Sequence, residues 1–331
     1  MQKLLTIVVP VYKVEPYINK CLDSCLIYKT NEQGEKVLDE DLMNQLEVVI
    51  VNDGTPDNSA EMSREYVKRF PNTFRQIDKE NGGHGSAWNV GLKEATGKYL
   101  RFLDSDDWLT NLDLLLEKLS ATDADVVVTA MNSCDEQSGE TVTMSLAKTV
   151  GVEMPVKSEE FGGNMSNFWC ATYKTSLLKP LYPLFLEGVS YDDSILYIVP
   201  HLCADTYIAF DFVVYNYLVG RDGQSMSVAV QTRKIPDRFR NYQHLRSFAQ
   251  KHIAGEIDGY VEEVLAHNRW TMFNVIPFVT DYRLSKTYMK ELLSLGSLDH
   301  ISTKKYHRYK TLPYRLFWWV EKRKYSSVAS N

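Results

Sequence analysis

The 331-residue chain lacks any apolar stretch approaching the roughly 20 residues that a membrane-spanning helix needs, which excludes a helix that crosses a bilayer. It is poor in cysteine, with Cys21, Cys25, Cys134, Cys170 and Cys203 only. An odd number with no secretory signal before it argues against a disulfide framework and for a reducing cytoplasm. Cys21 and Cys25 lie four apart on an expected helix, but no second pair or neighbouring His completes a metal site, so they read as small core residues. Met1 runs almost directly into a strand, so no cleavable targeting segment is expected. Positive charge is not in excess either. A net charge of −6 argues against nucleic acid as the main partner. Internal repeats and low-complexity tracts are absent.

Apolar residues at 44% and charged residues at 24% are ordinary for a soluble globular enzyme. The first 130 residues alternate buried strands with amphipathic helices: strands over 5–11, 47–52, 74–78, 99–103 and 126–130, helices over 15–27, 58–69 and about 85–95, and a long polar loop over 28–45. Such alternation predicts a mostly parallel α/β sheet with right-handed crossovers. Beyond residue 131 the pattern predicts short antiparallel strands at 141–144 and 149–154, helices over 165–178 and 193–203, and a strand over 207–218. A domain boundary is expected near residue 230, after the loop Gly220-Arg221-Asp222-Gly223, with a mainly helical region over 231–331.

Asp104-Ser105-Asp106-Asp107 directly follows the strand-like run Tyr99–Leu103. Three acids in four positions at the carboxyl end of a strand lie where open α/β sheets bind ligands, and their oxygens suit Mg²⁺ or Mn²⁺. The plain structural reading is an acidic loop that caps the next helix. Asp53-Gly54 ends the second strand, where a carboxylate can accept hydrogen bonds from a base or ribose, or simply form a strand-to-helix turn. Asn81-Gly82-Gly83-His84-Gly85 opens a helix and offers backbone N–H groups to an anion. Trp88 at the third glycine position rules out the dinucleotide fingerprint, and His84 reads equally as a phosphate or base contact and as a solvated loop residue. Tyr191-Asp192-Asp193 opens a later helix, as first-turn acids or as a general base.

Four ordered blocks now resemble a known family: Thr6–Tyr12, Val48–Gly54, Glu80–Gly83 with Asn89-Val90-Gly91, and Leu103–Asp107. Together they are similar to the family 2 glycosyltransferases, inverting enzymes of the GT-A fold that use nucleotide-diphosphate sugars. Tyr191–Asp193, Tyr215–Tyr217, Arg221 and Ser225 resemble the second half of that catalytic domain, and the resemblance covers residues 4–228. It implies a GT-A catalytic domain over 1–230, nucleotide-binding to about residue 130 and acceptor-side beyond. It implies a nucleotide pocket of Pro10, Val11, Tyr12, Glu15, Asp53, Asn81, Gly82, Gly83 and His84, with Asp53 reading the base. Asp104 and Ser105 would meet ribose or metal, and Asp104 and Asp106 would hold Mn²⁺ or Mg²⁺. Asp193, seconded by Asp192, would be the base. Arg221, on a Gly-flanked loop, reads equally as a residue that folds over the diphosphate and as a solvated loop arginine. The chain departs from the family in having Ala87-Trp88-Asn89 for Ala-Arg-Asn, and Asp192 for the Glu of Glu-Asp.

The implied partners are a nucleotide-diphospho-sugar, with a UDP-sugar favoured, and a saccharide, lipid-linked or protein-linked glycan acceptor. Two rivals stay open: a sugar-1-phosphate nucleotidyltransferase, although no Gly-rich N-terminal loop with a following Arg and Lys is seen, and a non-catalytic nucleotide-sugar scaffold. Residues 301–331 carry eight Lys/Arg against Glu321, a local +7 around Phe317-Trp318-Trp319 that leaves −13 on the rest. This tail reads two ways: its aromatics pack on the catalytic domain, or the segment lies on an anionic bilayer as a peripheral contact at the inner face of the cell membrane.

Overall fold

The computed structural model describes residues 3–145, 148–158, 161, 167–221, 227–257, 259–298 and 303–328, the last five as backbone. Met165, Asp222, Gly223, Ser225 and the Lys324 side chain, named above, lie outside what is described. The chain divides into two compact units, Met1–Arg221 and Asp222–Asn331, against the expected boundary near 230.

The first unit begins with β1 (Leu5–Val11), α1 (Ile18–Asp23), β2 (Tyr28–Thr30), β3 (Lys36–Leu38), α2 (Glu40–Gln45), β4 (Leu46–Asn52), α3 (Ser59–Arg69), β5 (Phe74–Asp78), α4 (His84–Glu94) and β6 (Tyr99–Phe102). It continues through β7 (Trp108–Leu109), α5 (Leu112–Ser120), β8 (Val126–Asp135), β9 (Thr141–Met144), β10 (Glu153–Pro155), β11 (Ala171–Lys174), α6 (Thr175–Leu178), α7 (Val199–Cys203) and β12 (Thr206–Val219). The main sheet has the order β10-β12-β8-β11-β6-β1-β4-β5. β4, β1 and β6 run parallel, as do β4 with β5 and β8 with β12, while β11 is antiparallel to both its neighbours. β1 and β4 are buried at every position, as expected of apolar runs in a parallel sheet covered on both faces. β1 pairs with β4 to its end but with β6 only as far as Val8–Phe102. Pro10, which has no N–H to give, lies beyond that last pair, where the two strands part. The loops after β1, β4, β5 and β6 therefore leave one edge of the sheet around a topological switch point.

Several expectations change. The helix expected over 15–27 is only α1, since Glu15, Pro16 and Tyr17 form a turn and the chain leaves for β2 soon after Asp23. The expected loop over 28–45 holds a hairpin, turned by Asn31, whose Oδ1 accepts from the Gln33 and Glu35 amides, and Gly34 at φ +80°. It also holds α2, capped by Asp39. Of the helix expected over 165–178, Thr175–Leu178 is helical as α6, but Ala171–Lys174 is a strand in the middle of the sheet, because the slot between β6 and β8 overrides local helical preference. The expected helix over 193–203 is a 3₁₀ segment, Asp192–Tyr197, then the short α7 with Pro200 in its first turn. The strand expected over 149–154 is reduced to Glu153–Pro155.

The second unit is helical: α8 (Val228–Arg233), α9 (Ile235–His252), α10 (Gly259–Val275), α11 (Tyr282–Ser294), α12 (Lys304–Thr311) and α13 (Tyr314–Val328). Ser227, Asp281 and Thr303 cap α8, α11 and α12 with side-chain oxygens. Phe273 stacks on Phe317 at 5.9 Å and meets Tyr306 and Tyr309 edge-on, so the tail helices complete the core of this unit.

Candidate active site

Asp53 follows the last residue of β4 and is 3% exposed. Its Oδ1 accepts from Lys79 Nζ at 2.6 Å and the Gly82 amide at 2.9 Å, and its Oδ2 from the Gly83 amide at 2.8 Å and Asn81 Nδ2 at 3.2 Å. A carboxylate has about four lone-pair directions, and protein donors take all four. Asp53 thus fastens the loop that opens α4. Gly54, at φ +66°, is needed there, since a Cβ would come within 3.0 Å of the Asn81 nitrogen.

The glycines of this loop make room for another segment. The Gly188 amide donates to the Gly82 carbonyl at 2.8 Å, and a Cβ on Gly85 would lie 2.3 Å from the Leu186 oxygen and 2.8 Å from Asp192 Oδ2. Asn89 (1% exposed) clamps the same segment, accepting from the Leu184 and Phe185 amides and donating to the Phe185 carbonyl. The segment then turns through Tyr191, a non-glycine residue at φ +66°, and delivers Asp192 and Asp193.

His84 joins the two acidic groups. Its Nε2 is 3.0 Å from Asp104 Oδ1 and its Nδ1 is 3.0 Å from Asp192 Oδ2. Burial alone would depress its pKa, but the charges and hydrogen bonds of Asp192 and Asp104 lift it well above the usual histidine value. The ring then donates to both carboxylates as an imidazolium. Trp88 lies 4.2 Å from this ring and is fully buried among Phe102, Phe168 and Phe185, so the position where the family has Arg is a hydrophobic support here, and His84 brings the cation.

Asp104, Asp106 and Asp107 bring one carboxylate oxygen each within 4.8 Å of one another. They are not equivalent. Asp107 is 1% exposed, accepts from the Tyr215 hydroxyl at 2.7 Å and the Leu218 amide at 2.8 Å, and so ties its loop to β12. Tyr215 in turn accepts from the Asp104 amide at 3.2 Å. Burial and the neighbouring Asp104 raise the pKa of Asp106, and the Arg221 guanidinium, in contact with its carboxylate, opposes that shift. The oxygen donors of Asp104 and Asp106 are of the hard kind that suits a small divalent cation, and the Arg221 guanidinium answers the same negative charge. Beneath them Arg101, fully buried, donates from Nη1 to Thr172 Oγ1 at 2.8 Å and from Nη2 to the Trp169 carbonyl, with its guanidinium 5.7 Å from the Tyr215 ring centroid. Burial pushes its pKa down to about 10.

Asp193 differs from its neighbour. Asp192 is 3% exposed and held by His84, whereas the Asp193 carboxylate, among the described residues, accepts only from its own amide and feels the His84 charge without a direct bond to it. Burial, then the adjacent Asp192 charge, pushes its pKa up to about 7.

Of the other expected residues, Pro10 and Val11 are buried in β1, Ser105 is buried, and Tyr12 is 43% exposed. Glu15 accepts from the Asn58 amide and side chain at 3.2 and 3.1 Å and so caps α3. Sequence reasoning missed Lys79, Arg101 and the bridging hydroxyl of Tyr215. A basic residue one position past β5, opposite Asp53, and an arginine inside an apolar strand were the available signals.

Residues 6–179 match the family described as Glycosyl transferase family 2. The chain is 37% identical over 129 residues to the uncharacterized glycosyltransferase EpsJ of Bacillus subtilis, a match spanning 38% of this chain but only 33% of that protein. It is 26% identical over 266 residues to the poly(ribitol-phosphate) beta-N-acetylglucosaminyltransferase TarS of Staphylococcus aureus, covering 79% of this chain and 43% of TarS. The crystal structure of TarS 1–349 in complex with UDP-GlcNAc superposes with a TM-score of 0.68 at 18% identity, covering 98% of this chain and 92% of that one. A mannosyltransferase from Pyrobaculum calidifontis in complex with GDP-Man and Mn²⁺ gives a TM-score of 0.51 at 19% identity, over 97% and 87% of the two chains. At such identities the likeness is one of fold, a GT-A sheet followed by C-terminal helices. With more than half its length matched to the family, the chain belongs to glycosyl transferase family 2.

Proposed function

We propose that the chain transfers a sugar, with inversion, from a nucleotide-diphosphate donor to a hydroxyl of a glycan, glycolipid or glycoprotein, with Asp193 as general base. The observation that carries this reading is Asp193 itself, a carboxylate to which no other described residue donates a hydrogen bond and whose pKa is pushed up to about 7 by burial and the Asp192 charge, so it can take a proton near neutral pH. The Asp193 carboxylate accepts the acceptor hydroxyl proton as that oxygen bonds to the anomeric carbon. The bond from that carbon to the diphosphate breaks, and its electron pair leaves with the diphosphate. Asp104 and Asp106 would hold Mn²⁺ or Mg²⁺, which supplies Lewis-acid stabilisation to the leaving group. Arg221, drawn to Asp106, adds a guanidinium suited to phosphate oxygens. His84 holds the base-bearing turn against Asp104. A base contact from Asp53 requires exchange of one of its four protein partners.

A UDP-sugar is favoured by the likeness to TarS, whose structure was solved with UDP-GlcNAc, and a cell-envelope polysaccharide acceptor by the kind of relative matched. Incubation with a panel of nucleotide sugars and Mn²⁺ tests the reading. Acceptor-dependent release of free nucleoside diphosphate, with inverted product by NMR, supports it. Release of pyrophosphate points instead to nucleotidyl transfer, and donor binding without turnover to a scaffold.

A peripheral contact of the tail with the inner membrane face is a further part of this reading. Among the described residues no helix is long and apolar enough to cross a membrane. Phe317 is fully buried and Trp318 Nε1 donates to the Val279 carbonyl at 3.1 Å, so these aromatics pack within their own unit. Leu316 and Trp319 remain 45% and 46% exposed, one turn apart beside the exposed Arg315 and Arg323, a combination suited to an anionic interface. Salt-sensitive co-sedimentation with anionic vesicles supports this, and absence of binding at low salt rejects it.

A further inference from the structure

The C-terminal unit contains a cavity of about 220 Å³ bordered by Tyr242, Arg246, Glu262, Arg269, Gly296 and Ser297. Arg269, on α10, is 4% exposed. Its Nη1 donates to the Tyr242 hydroxyl at 2.9 Å and its Nη2 to Glu262 Oε1 at 2.6 Å, while Tyr242 gives its own proton to the Leu295 carbonyl at 3.2 Å. Of the guanidinium's nitrogens only Nε is left without a partner: its N–H is enclosed and has no acceptor among the described residues. A buried donor left unanswered is costly, more so on a charged group, and this one belongs to a residue that lines a cavity. Gly296 is held at φ +152°, and a Cβ there would stand 3.2 Å from the Arg269 Cζ, so the chain after α11 lies directly against the guanidinium. Arg246, at the exposed side, makes no hydrogen bond or ion pair among the described residues. Two guanidinium groups against the single carboxylate of Glu262 leave the lining one charge positive.

We propose that this cavity binds a phosphate group, carried as a phosphomonoester or phosphodiester. A tetrahedral oxyanion offers acceptors to the idle Nε–H and to the free fork of Arg246, and guanidinium groups match phosphate oxygens in geometry as well as charge. The cavity is smaller than the ~300–1,000 Å³ typical of pockets for drug-sized ligands, which favours a small group or one link of a polymer over a whole nucleotide sugar. The inference uses no residue assigned to sugar transfer and does not depend on that reading.

The test is a titration of inorganic phosphate against the full chain at fixed ionic strength, followed by ³¹P line width. Saturable binding is expected, weakened about tenfold or more by Arg246→Gln, an exposed change that leaves folding and nucleotide release intact. Arg269→Lys keeps the charge but removes the Nε donor and should weaken binding as well; should it fail to fold, Arg246→Gln decides alone. Repeating the titration with glycerol 3-phosphate and with phosphatidylglycerol vesicles separates a soluble phosphoester from a lipid headgroup, and either one supports the site if Arg246→Gln weakens it. No saturable binding of any of the three overturns the proposal, as does equal affinity in Arg246→Gln.

Discussion

At the amino-terminal edge of the main sheet, Glu47 is 7% exposed and accepts from Thr6 Oγ1 at 2.5 Å, the Thr96 amide at 2.9 Å and Arg75 Nε at 3.0 Å. Burial works to raise its pKa, but these hydrogen bonds and the Arg75 charge win and hold it below the usual glutamate value. At the opposite edge Asp193 is only partly exposed, accepts from its own amide alone among the described residues, and is pushed up to about 7 by desolvation and the adjacent Asp192 charge. The same chemical group is locked as an anion at one edge and left ready to take a proton at the other. What separates them is the supply of donors and the like charge of Asp192. One edge holds the strands together, and the other, on the function proposed above, supplies the base.

The largest effect should come from the reactive edge. Asp193→Asn is expected to lower kcat about 10²–10⁴-fold with donor KM little changed, because a base acts only in the transition state. Asp106→Ala should abolish both transfer and metal-dependent nucleotide binding with the fold intact. Steady-state nucleotide release and equilibrium binding measure these. If Asp192→Asn proves crippling for kcat and Asp193→Asn mild, the base is the histidine-bound acid and the contrast drawn here breaks.

At the structural edge the signs reverse. Glu47→Ala should cost about 2 kcal/mol in urea unfolding, since it leaves the Thr6 hydroxyl and the Thr96 amide without their acceptor although Arg75 keeps Glu94, while kcat of the surviving folded enzyme stays near wild type. Asp193→Asn should match or exceed wild-type stability at pH 8, where the native carboxylate is charged beside Asp192 with no donor from another described residue. A loss of stability there would mean that Asp193 is held by donors after all.

Tyr215→Phe probes the join between β6 and β12. It removes the hydroxyl that donates to Asp107 and accepts from the Asp104 amide, for an expected cost of about 2 kcal/mol. Because the Asp104 backbone loses its anchor, donor KM should rise more than kcat falls. Unfolding curves and kinetics on the same preparation check both.

The smallest effect is in pH dependence. With a base of pKa about 7, kcat/KM should fall about tenfold per unit below that value and level off above it. Stability follows the other sign for each acid. The lowered folded pKa of Glu47 gives stability that is present above its unfolded value of 4.5 and lost as pH falls through the folded one. The raised pKa of Asp193 makes the native state bind the extra proton between about 3.8 and 7, so its contribution turns unfavourable as pH rises through that window. Unfolding at pH 3, 5 and 8 separates the two, with Asp193→Asn flattening only the upper step.

Much of the parallel half was legible because periodicity reports burial. β1, β5 and α3 were expected to within a residue, and the ends of β4 and β6 gave Asp53 and the acid cluster. The site was legible as a set of positions, less so as a set of duties. Glu15 and Asp53 were read as ligand contacts, yet they cap a helix and fasten a loop, roles that depend on Asn58 and Lys79, distant in sequence. β11 was missed because its place is fixed by partners on either side. The split between Asp192 and Asp193 hangs on His84, 108 positions from Asp192, and no spacing rule reaches that far.

The clasp that Asp53 makes over residues 79–83 has a bearing on the kinetics of encounter. Fixing the backbone of a residue costs about 1–2 kcal/mol in entropy, and along this stretch that loss is met during folding, before any ligand arrives. A ligand approaching the corner meets a backbone already in formation, so its arrival should be governed by diffusion and orientation and not by the opening and closing of a loop. Departure, by the same reasoning, is set by the contacts the ligand itself makes.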